Sequence, residues 1–238
     1  METKINIGEI AAEVVLKDIK NIHLSVYPPC GSVRIAAPCH MELETIRVFA
    51  LAKLPWIRRQ QRKLCNQERE AARDFIDRES HYFKGRRYLL KVVESDTVPT
   101  VEIKHNQLVL SVRPGTDTAK RQSILDEWYR QSLKDDAQPL LTKWEGILGV
   151  KASRVTIRRM KTRWGSCNHK SKAILINLEL AKKPPECLEY IIVHELAHLR
   201  EPTHNAKFVA ILDRHLPKWH TLRDELNRLP VRHEHWDY

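Results

Sequence analysis

The sequence predicts an α+β fold. An antiparallel, β-rich N-terminal region with helices, 1–115, precedes a C-terminal half, 116–238, organised around one proline-bounded helix. Three observations carry that expectation: short runs of period-two alternation before residue 115, a long segment of three-and-four apolar spacing after it, and an H-E-x-x-H sequence inside an apolar helical pattern.

The segment 21–27 alternates polar and apolar residues, and the turn Pro28-Pro29-Cys30-Gly31 leads into a second apolar run, 33–36, which predicts a hairpin or meander. From Glu42 the period becomes helical through Leu43, Ile46, Phe49 and Leu51; Pro55 interrupts it, and a second helical stretch, 56–75, is dense in Arg and Gln. Lys84-Gly85-Arg86 predicts a turn between Tyr82-Phe83 and a strand over 88–93, and 101–103 faces 108–112 across another turn. A helix over 117–144 follows, carrying Ile124, Leu125, Trp128, Leu133, Leu140 and Leu141 and ending near Gly146 and Gly149. The remainder reads as strand, turn, strand and motif helix, and the apolar run 173–178 reads equally as an ordinary sheet strand or as an edge on which an extended substrate chain could pair. No internal repeat recurs at a fixed period.

Composition narrows the function classes. Hydrophobic residues make up 42% and charged residues 30% of the 238, the balance of a folding chain rather than a disordered one. No apolar run approaches the roughly 20 residues of a membrane helix, so no membrane partner is expected. The opening Met1-Glu2-Thr3-Lys4-Ile5-Asn6 lacks a basic stretch followed by an apolar core, and the 5 cysteines are odd in number and never in C-x-x-C spacing. Both features predict a cytoplasmic protein. Lys plus Arg number 41 against 30 Asp plus Glu, a formal charge of +11, which points to anionic partners. That charge is uneven: residues 151–183 hold ten Lys or Arg against Glu179 alone.

Pro184-Pro185 opens the motif helix, and Pro202 follows it. At about 100° per residue, His194 and His198 lie about 40° apart on one face, while Leu188, Ile192, Leu196 and Leu199 cluster on the opposite side. Two neutral imidazoles one turn apart can share a metal ion, and the intervening Glu195 can act as general base on a water activated by that metal. His204 lies just past Pro202, where the chain can turn back toward the ligand face, and is the preferred third ligand; Glu225, in the later helical segment, is the alternative. The spacing matches that of metzincins, but Glu201 stands where that pattern has glycine and no Met follows Met160 to form a Met-turn. Three protein ligands leave one position open, the catalytic rather than the structural arrangement. Trp164-Gly165-Ser166-Cys167 reads as packing beside the cleft rather than a nucleophile turn, because G-x-S-x-G is absent. The tail His233-Glu234-His235 alternates in a manner that could bind metal but reads as inert.

In combination, Lys161-Thr162-Arg163-Trp164-Gly165-Ser166-Cys167, the strand ending Ile174-Leu175-Ile176-Asn177, the Pro184-to-Tyr190 spacing, His194-Glu195-Leu196-Ala197-His198-Leu199 and a later His before Phe208 closely resemble the YgjP-like zinc metallopeptidases, relatives of the SprT-like and WLM proteases. The resemblance extends to Pro55-Trp56-Ile57, Trp128-Tyr129-Arg130 and the closing His-Glu-His-Trp. It implies a zincin-like catalytic domain over 116–238, one Zn2+ per chain held by His194, His198 and His204, Glu195 as catalytic base, and protein or peptide substrates. Asn205 stands where Ser is common and Val209 where Trp often follows the Phe, which bears on substrate contacts more than on the metal. By analogy with SprT and WLM proteins, DNA or DNA-bound proteins are candidate partners. Lys161, Arg163, Trp164 and Asn177 are the candidate substrate-cleft residues. The competing expectation is a DNA-associated binding or accessory protein whose metal site is structural or vestigial.

Overall fold

The computed structural model describes residues 2–27, 31–65, 73–160 and 163–228, and the chain divides into two compact units near residues 69 and 70. The first holds β1 (Glu2–Ile7), β2 (Ile10–Lys17), β3 (His23–Tyr27), β4 (Ser32–Pro38), α1 (Leu43–Ala52) and α2 (Leu54–Cys65). Its sheet runs β1-β2-β4-β3. Alternation along β2 and β4 turns Ala12, Val14, Val33, Ile35 and Ala37 to one face, where Ile46, Ala50 and Ile57 of the two helices close a core.

The second unit begins with β5 (Ser80–Phe83), β6 (Arg86–Glu94), β7 (Thr100–Lys104) and β8 (Gln107–Val112), ordered β5-β6-β8-β7. The two four-stranded sheets share one plan: two antiparallel hairpins whose second strands lie side by side in parallel, β2 on β4 and β6 on β8. The parallel central pairs depart from the purely antiparallel expectation, because period-two patterning reports which face is buried and not the direction of the neighbouring strand. The division expected at 115 falls upstream for a related reason. Leu90, Leu108, Leu110 and Val112 share a core with Leu125, Tyr129 and Leu133 of the helix that follows, so strands and helix form one body.

That helix, α3 (Thr118–Leu148), is capped by Asp117, whose carboxylate accepts from Lys120 N at 2.7 Å, and closed by Gly149 in the left-handed region. Leu125, Tyr129, Leu133, Ala137, Leu141, Trp144 and Leu148 bury one stripe along its length, each large apolar side chain contributing about 1.5–3 kcal/mol. The helix expected over 56–75 ends earlier. Phe75 is buried with a φ of 55°, and the backbone amides of Asp74 and Phe75 donate to the Glu79 carboxylate, a turn that no helix continues through.

A second sheet of this unit, β10-β11-β9, comprises β9 (Arg154–Arg158), β10 (Gly165–Asn168) and β11 (Ala173–Asn177), with β11 antiparallel to β10 and parallel to β9. β11 is therefore the central strand, the ordinary of its two readings, and the edges are β10 and β9. A 3₁₀ turn (Leu178–Lys182) leads to α4 (Pro185–Ala197), followed by α5 (Ala206–His215) and α6 (Trp219–Arg228). α4 is the hub, buried on most of its surface through Cys187, Leu188, Tyr190, Ile191, Ile192, Val193, Leu196 and Ala197 and packed by α3, α5, α6, β10 and β11.

Glu189 ties α4 to α3: its Oε1 accepts from Trp144 Nε1 and from Lys143 Nζ, both at 2.8 Å. Burial pushes this carboxyl up, but the hydrogen bonds from Lys143 and Trp144 outweigh it and hold it below the usual carboxylate range. Glu189→Gln is expected to cost about 1 kcal/mol near neutrality, after allowance for solvent screening of the exposed lysine. A lowered folded value means the contribution is complete above the unfolded carboxylate value and is lost as pH falls through the folded one. Urea unfolding of both proteins should show the gap closing in acid.

Candidate metal centre and cleft

The Pro184-Pro185 start pre-sets the first turn of α4, and the rigid burial of that helix fixes the direction of its last turn. His194 and Glu195 lie in that turn, and His198 is the C-cap. The chain then turns through Pro202 and re-enters helix at α5, whose N-cap Asn205 accepts from Phe208 N at 3.1 Å. This reversal brings His204 back over α4.

One ring nitrogen from each of His194, His198 and His204 lies within 4.8 Å of the other two, with His194 Nε2 3.1 Å from His204 Nε2. Phe208 forms a shared apolar floor, its ring centroid 4.6 to 5.0 Å from all three imidazoles and stacked on that of His198. His198 Nδ1 lies 3.2 Å from the Glu201 carbonyl oxygen; with its proton on Nδ1 it donates there and keeps the Nε2 lone pair for the cluster. Burial, then the neighbouring His198 and His204, pushes His194 down to about 3, and burial likewise lowers His198. His194 Nδ1 is buried with no hydrogen-bond partner among the described residues. Three imidazoles crowded this closely fit a divalent cation as their common partner, and the all-nitrogen donor set suits a transition metal rather than calcium or magnesium.

Glu195 is 5% exposed, and burial pushes its carboxyl up to about 8 against the opposing charge of Arg163. Its room is made by Gly165 of β10: a Cβ there would lie 2.4 Å from Glu195 Oε1 and 2.8 Å from its carboxyl carbon. Any side chain at this position would displace the Glu195 carboxylate, so glycine serves here by close approach rather than by backbone conformation.

These groups line an open cleft of about 520 Å³ whose walls include Arg163, Trp164, Ser166, Cys167, His169, Tyr190 and Arg223. Arg163 and Trp164, two of the expected cleft residues, are thus part of its wall. Asn177 does not: it is buried, its Nδ2 donates to the carbonyls of Met160 and Arg163 at 2.9 and 2.8 Å, and its Oδ1 accepts from Met160 N and Glu179 N. It braces the strand ends behind the cleft. Lys161 and the 233–235 tail lie outside the described residues. Glu225 is not part of the imidazole cluster. Cys167 is pushed up to about 11 by burial and by Glu195, so it remains a thiol, in line with a packing role for Trp164-Gly165-Ser166-Cys167.

Tyr190, His169 and Arg223 were not foreseen as cleft residues. Tyr190 had a usable signal, since it precedes His194 by four positions and so shares its face. Arg223 had none; the packing of α6 on α4 brings it there. The basic run 151–183 also reads differently in three dimensions. Arg159 pairs with Asp126 at 2.5 Å, Lys182 with Glu179 at 2.6 Å, and Lys182 and Lys183 are both buried. Part of this charge serves the interior rather than an anionic substrate.

Among the described residues, no helix is long and apolar enough to cross a membrane. No curated protein matches the chain. Among solved structures, it is similar to the metallopeptidase zymogen abylysin of Pyrococcus abyssi, at 26% identity and a TM-score of 0.35 over 37% of this chain and 90% of that one. It is also similar to the metallopeptidase zymogen jannalysin of Methanocaldococcus jannaschii, at 24% identity and a TM-score of 0.35 over 38% of this chain and 87% of that one. The family described as YgjP-like, metallopeptidase domain, matches residues 20–229, so the protein belongs to the YgjP-like metallopeptidases, a family that implies a divalent metal and protein or peptide substrates.

Proposed function

We propose that the protein is a zinc-dependent peptidase in which His194, His198 and His204 hold the ion and Glu195 is the general base. The observation that carries this reading is the convergence of three imidazoles at the end of a buried helix, beside a carboxylate for which Gly165 leaves room. When bound, zinc would supply Lewis-acid polarisation of the scissile carbonyl and of the attacking water. Glu195 accepts the water proton and passes it to the leaving amine, a task suited to a carboxyl whose affinity for protons is raised by burial. Tyr190, pushed up to about 12 chiefly by burial, stays a phenol and offers a hydrogen-bond donor to the cleft. β10, at the sheet edge, presents backbone groups to which an extended substrate can pair. The group of candidate ligands among the described residues numbers three, leaving a coordination position for chemistry rather than closing a structural site.

The test is metal content of untagged protein together with hydrolysis of denatured and DNA-bound proteins. One zinc per chain with metal-dependent cleavage is the expected result; wild-type protein that stays metal-free after incubation with zinc would overturn the reading. A further prediction separates positioning from ligation. Gly165→Ala drives a methyl group into the Glu195 carboxylate and should lower kcat about 10–100-fold through misplacement of the base, while elemental analysis finds the metal retained.

A further inference from the structure

The first unit carries its net positive charge on its helical segment. Residues 43–65, which include both helices, hold six Lys or Arg against Glu44 alone, a net of +5, whereas residues 1–42 hold four against five acids, a net of −1. α2 concentrates this excess. Ile57 is fully buried and Leu54 packs on the same core. Taking Ile57 as the inward direction, Arg58, Arg62, Arg59 and Trp56 follow at about 100°, 140°, 200° and 260° around the helix, one continuous outward arc.

All four are exposed, Trp56 by 38%. Arg47, one helix earlier, has Glu44 at 3.8 Å; by contrast, Arg58, Arg59 and Arg62 have no ion-pair partner among the described residues. The helix is also held in place. Gln61 Nε2 donates to Gly31 O at 2.8 Å, and Gly31, with φ of +76°, approaches so closely that a Cβ would lie 2.6 Å from Gln61 Cγ. The arginines are thus presented on an anchored element, with little further backbone ordering required on binding.

We propose that the outward face of α2 is a docking surface for single-stranded nucleic acid. Guanidinium groups recognise phosphate through paired hydrogen bonds as well as charge. Arg58 and Arg62, one turn apart, are separated by about 6 Å along the axis, comparable to neighbouring phosphates of an extended strand. The flanking Trp56 distinguishes this surface from a bare cationic face, because an exposed indole can stack on an unpaired base but not on one already stacked in a duplex. The surface lies in the first unit, whereas every residue lining the cleft belongs to the second. The inference therefore stands apart from the peptidase reading.

Fluorescence anisotropy of a labelled oligothymidylate with the full chain, from 50 to 300 mM salt, tests it. Three phosphate contacts predict a log–log salt slope of about −2. Arg58→Ala/Arg59→Ala/Arg62→Ala should flatten that slope and weaken binding about tenfold or more at 50 mM, with cleavage of a short free peptide and the melting temperature unchanged. The corresponding triple Lys variant should retain most of the binding. Trp56→Ala should weaken oligothymidylate binding about tenfold and leave binding to a duplex of equal length unaffected. Absence of binding at 50 mM salt, a triple Ala variant that binds like wild type, tighter binding to duplex, or equal competition by polyglutamate would overturn the proposal. Because oligonucleotide binding is read without catalysis, failure of the peptidase reading leaves the outcome interpretable.

Discussion

Glu195→Gln is expected to lower kcat about 10²–10⁴-fold while leaving the metal in place. The substitution keeps the shape of a side chain that is 5% exposed and packed against Gly165, so the cleft should not rearrange. What it removes is the capacity to take a proton. It also exchanges a group whose ionised form is penalised by burial for a neutral one, so the variant should melt no lower than wild type in the metal-free state. Loss of activity, unchanged zinc stoichiometry and an undiminished melting temperature together identify a base. Loss of zinc alongside activity would instead make Glu195 a residue that organises the metal site, and full activity would remove it from the mechanism.

His198→Ala is expected to abolish stoichiometric metal. The drop in affinity should exceed the about 10–100-fold that follows from losing a residue that merely orients a ligand. Truncation also removes the ring stacked on Phe208 at 4.6 Å and the contact with the Glu201 carbonyl, so the melting temperature must be followed as well. A variant that is folded and metal-free is the informative outcome. The same measurement on His204→Ala and Glu225→Ala decides the third ligand: zinc lost in the first and kept in the second supports three histidines, and the reverse assigns the carboxylate of α6.

Much of the site was legible because its geometry is local. Histidines four residues apart in a helix share a face whatever surrounds them, and Pro202 forces the turn after which His204 returns. Hairpins were legible for a similar reason, since period-two runs separated by short turns pair with their neighbours in sequence. Apart from the helix expected over 56–75, which a local turn at Phe75 cuts short, the departures concern partnership across distance. The run 173–177 reads equally well as an edge or a central strand until β9 and β10 are found on either side of it. Asn177 sits in a motif beside the cleft, yet its amide is consumed by the backbone of Met160 and Arg163.

Charge obeyed the same division. Counting residues located the basic run at 151–183, but Asp126, far away on α3, neutralises Arg159, and Lys182 turns inward to Glu179. The +11 total is a sum over residues and is settled by the sequence alone; so are the motif helix and the spacing of its imidazoles, because they depend on bond geometry and helical period. Which cations are left facing solvent, which strand stands at an edge, that Gly165 makes room for Glu195 and that Arg223 reaches the cleft all depend on segments distant in sequence. Those arrangements are selected when apolar faces are buried together, and only the folded chain reveals them.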